Sequence, residues 1–386
     1  MFEIIILLLI LMKKFGRDLS GLSYDWLDAA LVRSENKHGR LFWLIKLSFL
    51  MVLAACIYTR VSTHCSFLGS QYAELARNPF AFDPANPVGY RLLTPLLSYL
   101  VGLRGHGIIV INLIISGVLL AVVYDYFRKT ALRPGDAFLA VVTMTFSLTV
   151  LTSIHCGGYT DIMTYLLIFL MWRYRKNRVL FYVLFFLGLL NREAVAFLIP
   201  WFVFISFETA GKKRFVIIDL ILGLSLTLGG YYLYRLWIES HQTVRFSTTY
   251  YLDHLLNDPF KHFLDTFKYH SLGLFSVYQI LWVFPLLTIV SRWRERNYRQ
   301  IISFLLLIVC AGVQLLVARD TSRMFTLGFM VGPLALEHLF QTDFRNFRNW
   351  AFWAVLFNLV VPQVYVAGPV VEVWRSLSIY LFSFLW

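Results

Sequence analysis

Apolar runs of helical length, separated by short polar or basic clusters, fill most of this chain. The basic clusters lie at residues 37–40, 128–133, 173–178, 212–214, 292–299 and 345–348. Lys and Arg in short loops mark the cytoplasmic side of a polytopic membrane protein, so an even number of crossings is expected between neighbouring clusters. Under that rule residues 41–60 cross outward and 108–127 return. Between them residues 92–103 are apolar but short, which suits a half-inserted or interfacial helix. Residues 137–154 go out and 159–172 come back, with the turn 155–160 between them. Further crossings are expected at 215–237, 272–290, 301–318, 324–340 and 350–366, while the tail 376–386 is short for a span.

Residues 179–207 are the informative case. As one helix they would be about 43 Å long and would cross once, inverting everything after them. Two arms of roughly 18–21 Å meeting at Asn191-Arg192-Glu193 preserve the alternation. The charged tip then lies below the far surface, where irregular backbone is tolerated only in a protein-lined or wet cavity. The expectation is an all-α polytopic membrane protein of about 10–12 transmembrane helices, short broken or re-entrant ones included, with no soluble domain. It divides into an N-terminal apolar and cytoplasmic amphipathic segment (1–40), a transmembrane module (41–340) with external loops 61–90 and 238–271, and a C-terminal transmembrane segment (341–386).

Composition agrees. The 386 residues are 59% hydrophobic and 15% charged, with mean hydropathy +0.66; soluble domains have about 45–50% apolar and about 25% charged residues. The net charge of +13 would suggest nucleic acid in a soluble protein. Here the cations sit in short loops, where they orient the chain, and nucleic acid is not an expected partner. Cys56, Cys65, Cys156 and Cys310 form no CxxC pair, so no metal or redox role is read from them. Cys65 and Cys156 fall on the same external side, as a disulfide or as free thiols. Residues 1–12 are apolar but only about 18 Å long as a helix, and Met12 before Lys13-Lys14 also reads as a start position.

The topology places a set of costly charges on one side: Asp83, Arg91, Asp161, Arg192, Glu193, Arg319, Asp320 and Arg323. Arg91, after Tyr90, opens an apolar helix and offers a planar fork for phosphate or carboxylate; a snorkelling arginine is the plainer reading. Asp161 follows Gly157-Gly158 and opens the next span, as a helix cap or a reactive acid, with His155 six residues before it. Arg192 and Glu193 are adjacent, so on a helix they point about 100° apart and each is free to pair elsewhere. Arg319 and Arg323 share a face if helical, and need an anion or Asp320 to offset their repulsion. In the loop 238–271, residues 258–267 read as an amphipathic surface helix, and the Asp258/His262 spacing is a weak metal signal beside that reading.

Four stretches carry a family resemblance: Tyr72 to Pro79 with Tyr90-Arg-Leu-Leu-Thr-Pro95, Gly158-Tyr-Thr-Asp161, Asn191-Arg-Glu193 with Pro200, and Arg319-Asp-Thr-Ser-Arg323 with Pro333. Together they resemble the GT-C superfamily of integral-membrane glycosyltransferases, bacterial members in particular, over residues 41–340. The resemblance implies transfer of a sugar from a polyprenyl-phosphate donor to a glycan, lipid or protein acceptor on the outer face of a bacterial inner membrane. It implies an acid as base, from Asp161, Asp83 or Glu193. It implies substrate binding by Arg91, Arg192, Arg319, Asp320, Arg323, His155 and Tyr90. No cofactor is expected and no metal ligand set is indicated. The chain departs from the pattern where the family carries its early first-loop acid: residues 67–72 read Phe-Leu-Gly-Ser-Gln-Tyr. The competing readings are a transporter or flippase of an anionic or lipid-linked substrate, and a polysaccharide polymerase or ligase.

Overall fold

The computed structural model describes residues 24–59, 61–65, 68–81, 86, 88–130, 132–208, 213–241, 261–316, 318, 320–342, 347–367 and 370–374. Asp83, Arg319, the apolar start 1–12, residues 242–260 with His254 and Asp258, and the tail 376–386 lie outside them. The chain is a helical, multi-pass membrane protein. Among the described residues five helices are long and apolar enough to cross a bilayer: Arg40–Thr59, Gly105–Lys129, Ile217–His241, Phe267–Arg294 and Tyr298–Leu316. A sixth crossing is made if the bent pair Pro134–Thr145 and Leu148–His155 counts as one span, its arms meeting at 46°. The remaining apolar helices are too short to cross alone: the sequence predicts this for 92–103 and for the two arms of 179–207, but it also holds for the helices over the expected crossings 159–172, 324–340 and 350–366.

The helices are numbered in chain order. α1 (Tyr24–His38) precedes α2 (Arg40–Thr59), and α3 (Leu68–Arg77) and α4 (Leu93–Leu100) follow it. α5 (Ile108–Lys129), α6 (Pro134–Thr145), α7 (Leu148–His155) and α8 (Asp161–Arg173) come next. Then come α9 (Arg178–Asn191), α10 (Ile199–Glu208), α11 (Lys213–His241) and α12 (Lys261–Tyr278). α13 (Val283–Arg294), α14 (Tyr298–Val313), α15 (Thr321–Phe325), α16 (Val331–Gln341) and α17 (Phe347–Val360) complete the set. A β-hairpin follows, with β1 (Gln363–Ala367) antiparallel to β2 (Val370–Trp374) and Gln363 paired with Trp374. The expected span 350–366 therefore stops at Val360: Pro362 cannot continue the helix, and the β-branched alternation at Val364, Val366 and Val371 suits a strand.

Ion pairs gather one end of these helices into a basic pole. Asp125, near the end of α5, holds Arg40 from the start of α2 at 2.9 Å and Arg173 from the end of α8 at 2.6 Å. Arg178, opening α9, lies 3.4 Å from Asp219 near the start of α11 and donates to the Ser206 hydroxyl of α10 at 2.8 Å. That last bond joins the two ends of the 178–208 segment, and Phe202 packs edge-on against both Phe181 and Phe185. The segment is thus a hairpin whose arms return to one pole, with its tip at Arg192, where the backbone is extended. Each arm is shorter than a bilayer: α9 has 14 residues, about 21 Å. α1 lies at the basic pole, where Asp28 accepts the Gly135 amide at 2.7 Å and Tyr24 donates to Asp136.

Between the poles runs an apolar core that includes Leu151, Ile168, Phe169, Phe185 and Leu189, all at or below 1% exposure. α8 spans this core with 13 residues, so its Asp161 end stands about 18 Å from its Arg173 end.

Candidate functional site

The opposite pole collects the starts and ends of α4, α8, α9, α11 and α15. Asn191, the last residue of α9, pins three of them. Its amide donates to the Thr160 carbonyl at 2.9 Å and the Thr164 hydroxyl at 2.8 Å, and its carbonyl accepts from Thr94 of α4 at 2.6 Å. After Asn191 the chain leaves helical geometry for one residue and resumes as a 3-10 turn from Glu193 to Leu198. The extended residue sends Arg192 and Glu193 to different partners.

Arg192 turns inward to Asp161. Its guanidinium donates to Asp161 Oδ1, and Nη2 lies 3.5 Å from the Met324 sulfur. Arg323 of α15 approaches the same carboxylate from the other side, Nε to Oδ2 at 2.5 Å and Nη2 to Oδ1 at 3.2 Å. The three side chains are 1–4% exposed. One buried carboxylate thus joins two buried guanidiniums, and the Tyr159 ring lies under Arg323 with 4.6 Å from guanidinium to ring centre. The sequence offered Asp161 as a reactive acid; its oxygens are occupied by two cations, and it holds α8, α15 and the hairpin tip together.

Glu193 points the other way, to Arg91. Arg91 Nε donates to Glu193 Oε2 at 2.9 Å, Nη2 donates to Oε1, and Nη1 donates to the Tyr72 hydroxyl of α3 at 2.9 Å. This pair is less enclosed, at 12% exposure for Arg91 and 31% for Glu193. A guanidinium has five N–H groups, so Arg91 keeps donors beyond these contacts. Tyr90 beside it lies under the Arg235 guanidinium, 4.4 Å from the ring centre, and its carbonyl accepts from the Tyr234 hydroxyl at 3.2 Å.

Asp320 caps α15, taking the Arg323 amide at 3.3 Å. Its other oxygen accepts from the Tyr365 hydroxyl of β1 at 2.5 Å and stands 3.9 Å from Arg323 Nη1. Asp320 lies in the turn between the span Tyr298–Leu316 and the short helix α15, where burial pushes its carboxyl above the usual carboxylate value of 3.8, against the pull of Arg323. The hairpin is fastened here: the Val366 amide donates to Ser322 Oγ at 2.8 Å, and Gln363 donates to the Ser276 carbonyl at 2.6 Å. His155 closes the row. It donates to the Thr59 carbonyl at 3.1 Å, and its ring stacks on Trp374 with centroids 4.2 Å apart.

A close contact sets the first loop against this pole. A methyl on Gly69 of α3 would fall 2.0 Å from the Gly157 carbonyl oxygen, and Gly158, at φ +86°, lies where a side chain would meet the Cys65 sulfur at 2.8 Å. The Gly157-Gly158 turn lets α3 dock directly on the segment that presents Asp161.

The structure therefore brings together Arg91, Asp161, Arg192, Glu193, Asp320 and Arg323, with Tyr90 and His155 at the rim. Several groups in the site carried no role in the sequence reading: Tyr72, Asn191, Thr94, Tyr159, Tyr231, Arg235 and Tyr365. The hydroxyl of Tyr231 (8% exposed) is buried without a hydrogen-bond partner among the described residues. Tyr231, Tyr234 and Arg235 recur at helical spacing near one end of an apolar span, a signal available in the sequence. Tyr365 was hidden by reading residues 350–366 as a span. No family model matches this chain, and no curated protein or solved structure is similar to it at a significant level.

Proposed function

We propose that this pole is the active site of a membrane glycosyltransferase that moves a sugar from a polyprenyl-phosphate donor to an acceptor hydroxyl. The observation that carries the reading is the half-open Arg91–Glu193 pair at the tip of a hairpin too short to reach the far surface. A guanidinium with spare donors at that tip suits the phosphate of a lipid-linked sugar, whose tail would lie along the apolar helices. Transfer from a lipid phosphate needs cations for the departing phosphate and a base for the acceptor proton.

In this reading Arg91 receives the donor phosphate, and Glu193 and Tyr72 hold its fork in plane. Asp161 with Arg192 and Arg323 is the frame that fixes the pole. Among the described carboxylates Asp320 suits the base best. Asp161 is shared by two guanidiniums, and Glu193 accepts from Arg91 at both oxygens, which lowers a carboxylate's proton affinity. Asp320 has its cation at 3.9 Å and a side chain 21% exposed. The base takes the acceptor proton as the acceptor oxygen bonds to the anomeric carbon and the sugar–phosphate bond breaks toward the phosphate. The buried Tyr231 hydroxyl is an open hydrogen-bonding group for a sugar or phosphate oxygen.

A transporter or flippase would need polar groups reachable from both sides. The apolar core between the poles supports one-sided chemistry instead. The test is transfer by the purified chain in lipid discs supplied with polyprenyl-phosphate-linked sugars and candidate acceptors. Arg91→Gln and Asp320→Asn are expected to lower turnover by about 100-fold or more, in the range of a lost charge-stabilising or acid–base group. Unchanged turnover in both variants would refute the site.

A further inference from the structure

A second polar cavity lies at the basic pole. It encloses about 340 Å³ between the turn after α8, the α13–α14 turn and the end of α16, and its walls include Arg175, Arg292, Arg299, Gln300, Ser303 and His338. We propose that it binds a phosphorylated ligand, Arg175 and Arg299 taking the phosphoryl oxygens beside Arg292.

Basic residues on a cytoplasmic face ordinarily serve orientation and splay into water. Their neighbours here are also neutralised: Arg40, Arg128, Arg173, Arg178 and Arg348 each pair with a carboxylate. Arg175 and Arg299 differ on both counts. They line a cavity, and neither forms an ion pair with a carboxylate among the described residues. Arg175 is held in place, donating to the Trp172 carbonyl at 2.8 Å and lying 4.8 Å from the Trp172 ring centre. Arg292 is also fixed, by Gln300 and by Glu295 at 2.7 Å.

Gathering three guanidiniums on one cavity is unfavourable unless an anion joins them. Glu295 offsets Arg292, and the wall carboxylate Glu337, which accepts the Tyr126 hydroxyl at 2.7 Å, attracts Arg175 without forming an ion pair with it, so positive charge stays in excess at Arg175 and Arg299. Arginine forks match phosphate oxygens, and amide and hydroxyl groups beside them suit the polar part of a phosphorylated headgroup or sugar. Both a lipid headgroup and a soluble phosphate carry that chemistry.

The experiment is thermal unfolding of the full chain in phosphatidylcholine discs. One arm titrates inorganic phosphate at constant ionic strength against a chloride control. The other arm exchanges part of the phosphatidylcholine for phosphatidic acid. The expected result is stabilisation in at least one arm, naming the soluble or the lipid source. The apparent affinity should fall at least tenfold in Arg175→Gln and in Arg299→Gln. Arg299 is exposed, so its variant keeps the fold. Arg294→Gln, an exposed cation of the same turn outside the cavity, should bind as the parent does. Absence of stabilisation in both arms would overturn the proposal. So would equal losses in Arg294→Gln and Arg299→Gln, which would mark diffuse attraction to a basic surface.

Discussion

Arg91 and Glu193, 102 positions apart, meet through two parallel hydrogen bonds that tie the segment between α3 and α4 to the tip of the 178–208 hairpin. A guanidinium fork and a carboxylate fix each other's plane as well as position. The pair therefore works as a joint between two segments and as an aimed cation.

The first prediction concerns that joint. Arg91→Gln and Glu193→Gln each leave a partly buried charge unpaired, and the double variant relieves it. A double-mutant cycle by thermal or chemical unfolding is expected to give a favourable coupling of about 1–3 kcal/mol. The double variant should melt close to the parent yet stay inactive. A coupling near zero would show that the pair does not act as a joint.

Asp161 is expected to behave differently. Asp161→Asn leaves Arg192 and Arg323 facing each other in a buried site, both only 4% exposed. Removing one partner from a buried ion cluster costs about 3–5 kcal/mol. The melting temperature of Asp161→Asn should fall sharply, before any question of turnover arises. A variant as stable as the parent would show that the buried triad contributes little.

The third prediction is a pH dependence with opposite signs for stability and activity. The Asp320 carboxyl is held above its ordinary 3.8 in the folded chain. The folded state thus keeps a proton that the unfolded state has released. The stability linked to that proton is fully present below about pH 3.8 and is lost as pH rises through the raised folded value. Activity needs Asp320 unprotonated, so turnover should rise through the same window. Stability and rate measured against pH in Asp320→Asn should lose both trends. A rate profile identical to the parent's would remove Asp320 as the base.

Close packing at the glycine turn gives a fourth test. In Gly69→Ala the new methyl meets the Gly157 carbonyl at 2.0 Å, so backbone must move. Overpacking of this kind costs about 1–3 kcal/mol. A lowered melting temperature together with a weakened Arg91–Glu193 coupling is expected, since α3 carries Tyr72. An unperturbed variant would mean that the loop adapts without disturbing the site.

Much of the architecture was legible because hydrophobic runs and basic clusters report crossings directly. The hairpin at Asn191–Glu193 followed from parity, and the Arg178–Ser206 bond now joins its ends. The adjacency of Arg192 and Glu193 correctly implied separate partners. The partners were not legible: Arg192 with Asp161 and Glu193 with Arg91 depend on helices brought together across 31 and 102 positions. Residues 361–366 were misread as the end of a span for a physical reason. A hydrophobic run ending in alternating valines scores as a span by hydropathy, and only Pro362 signals the change of period. Asp161 read equally as a helix cap or as a reactive acid; the two cations that offset the cost of its charge were concealed by sequence distance.

The most direct test of the central claim is bond cleavage in the lipid-linked donor. The chain is reconstituted in lipid discs with a polyprenyl-phosphate sugar labelled in both the sugar and the lipid, and the release of free polyprenyl phosphate is followed with acceptor present. The account predicts acceptor-dependent release by the parent and release about 100-fold slower in Arg91→Gln, both assayed below the melting temperature of the variant. Equal release by parent and variant would contradict it. So would movement of the intact donor across a vesicle bilayer with no cleavage.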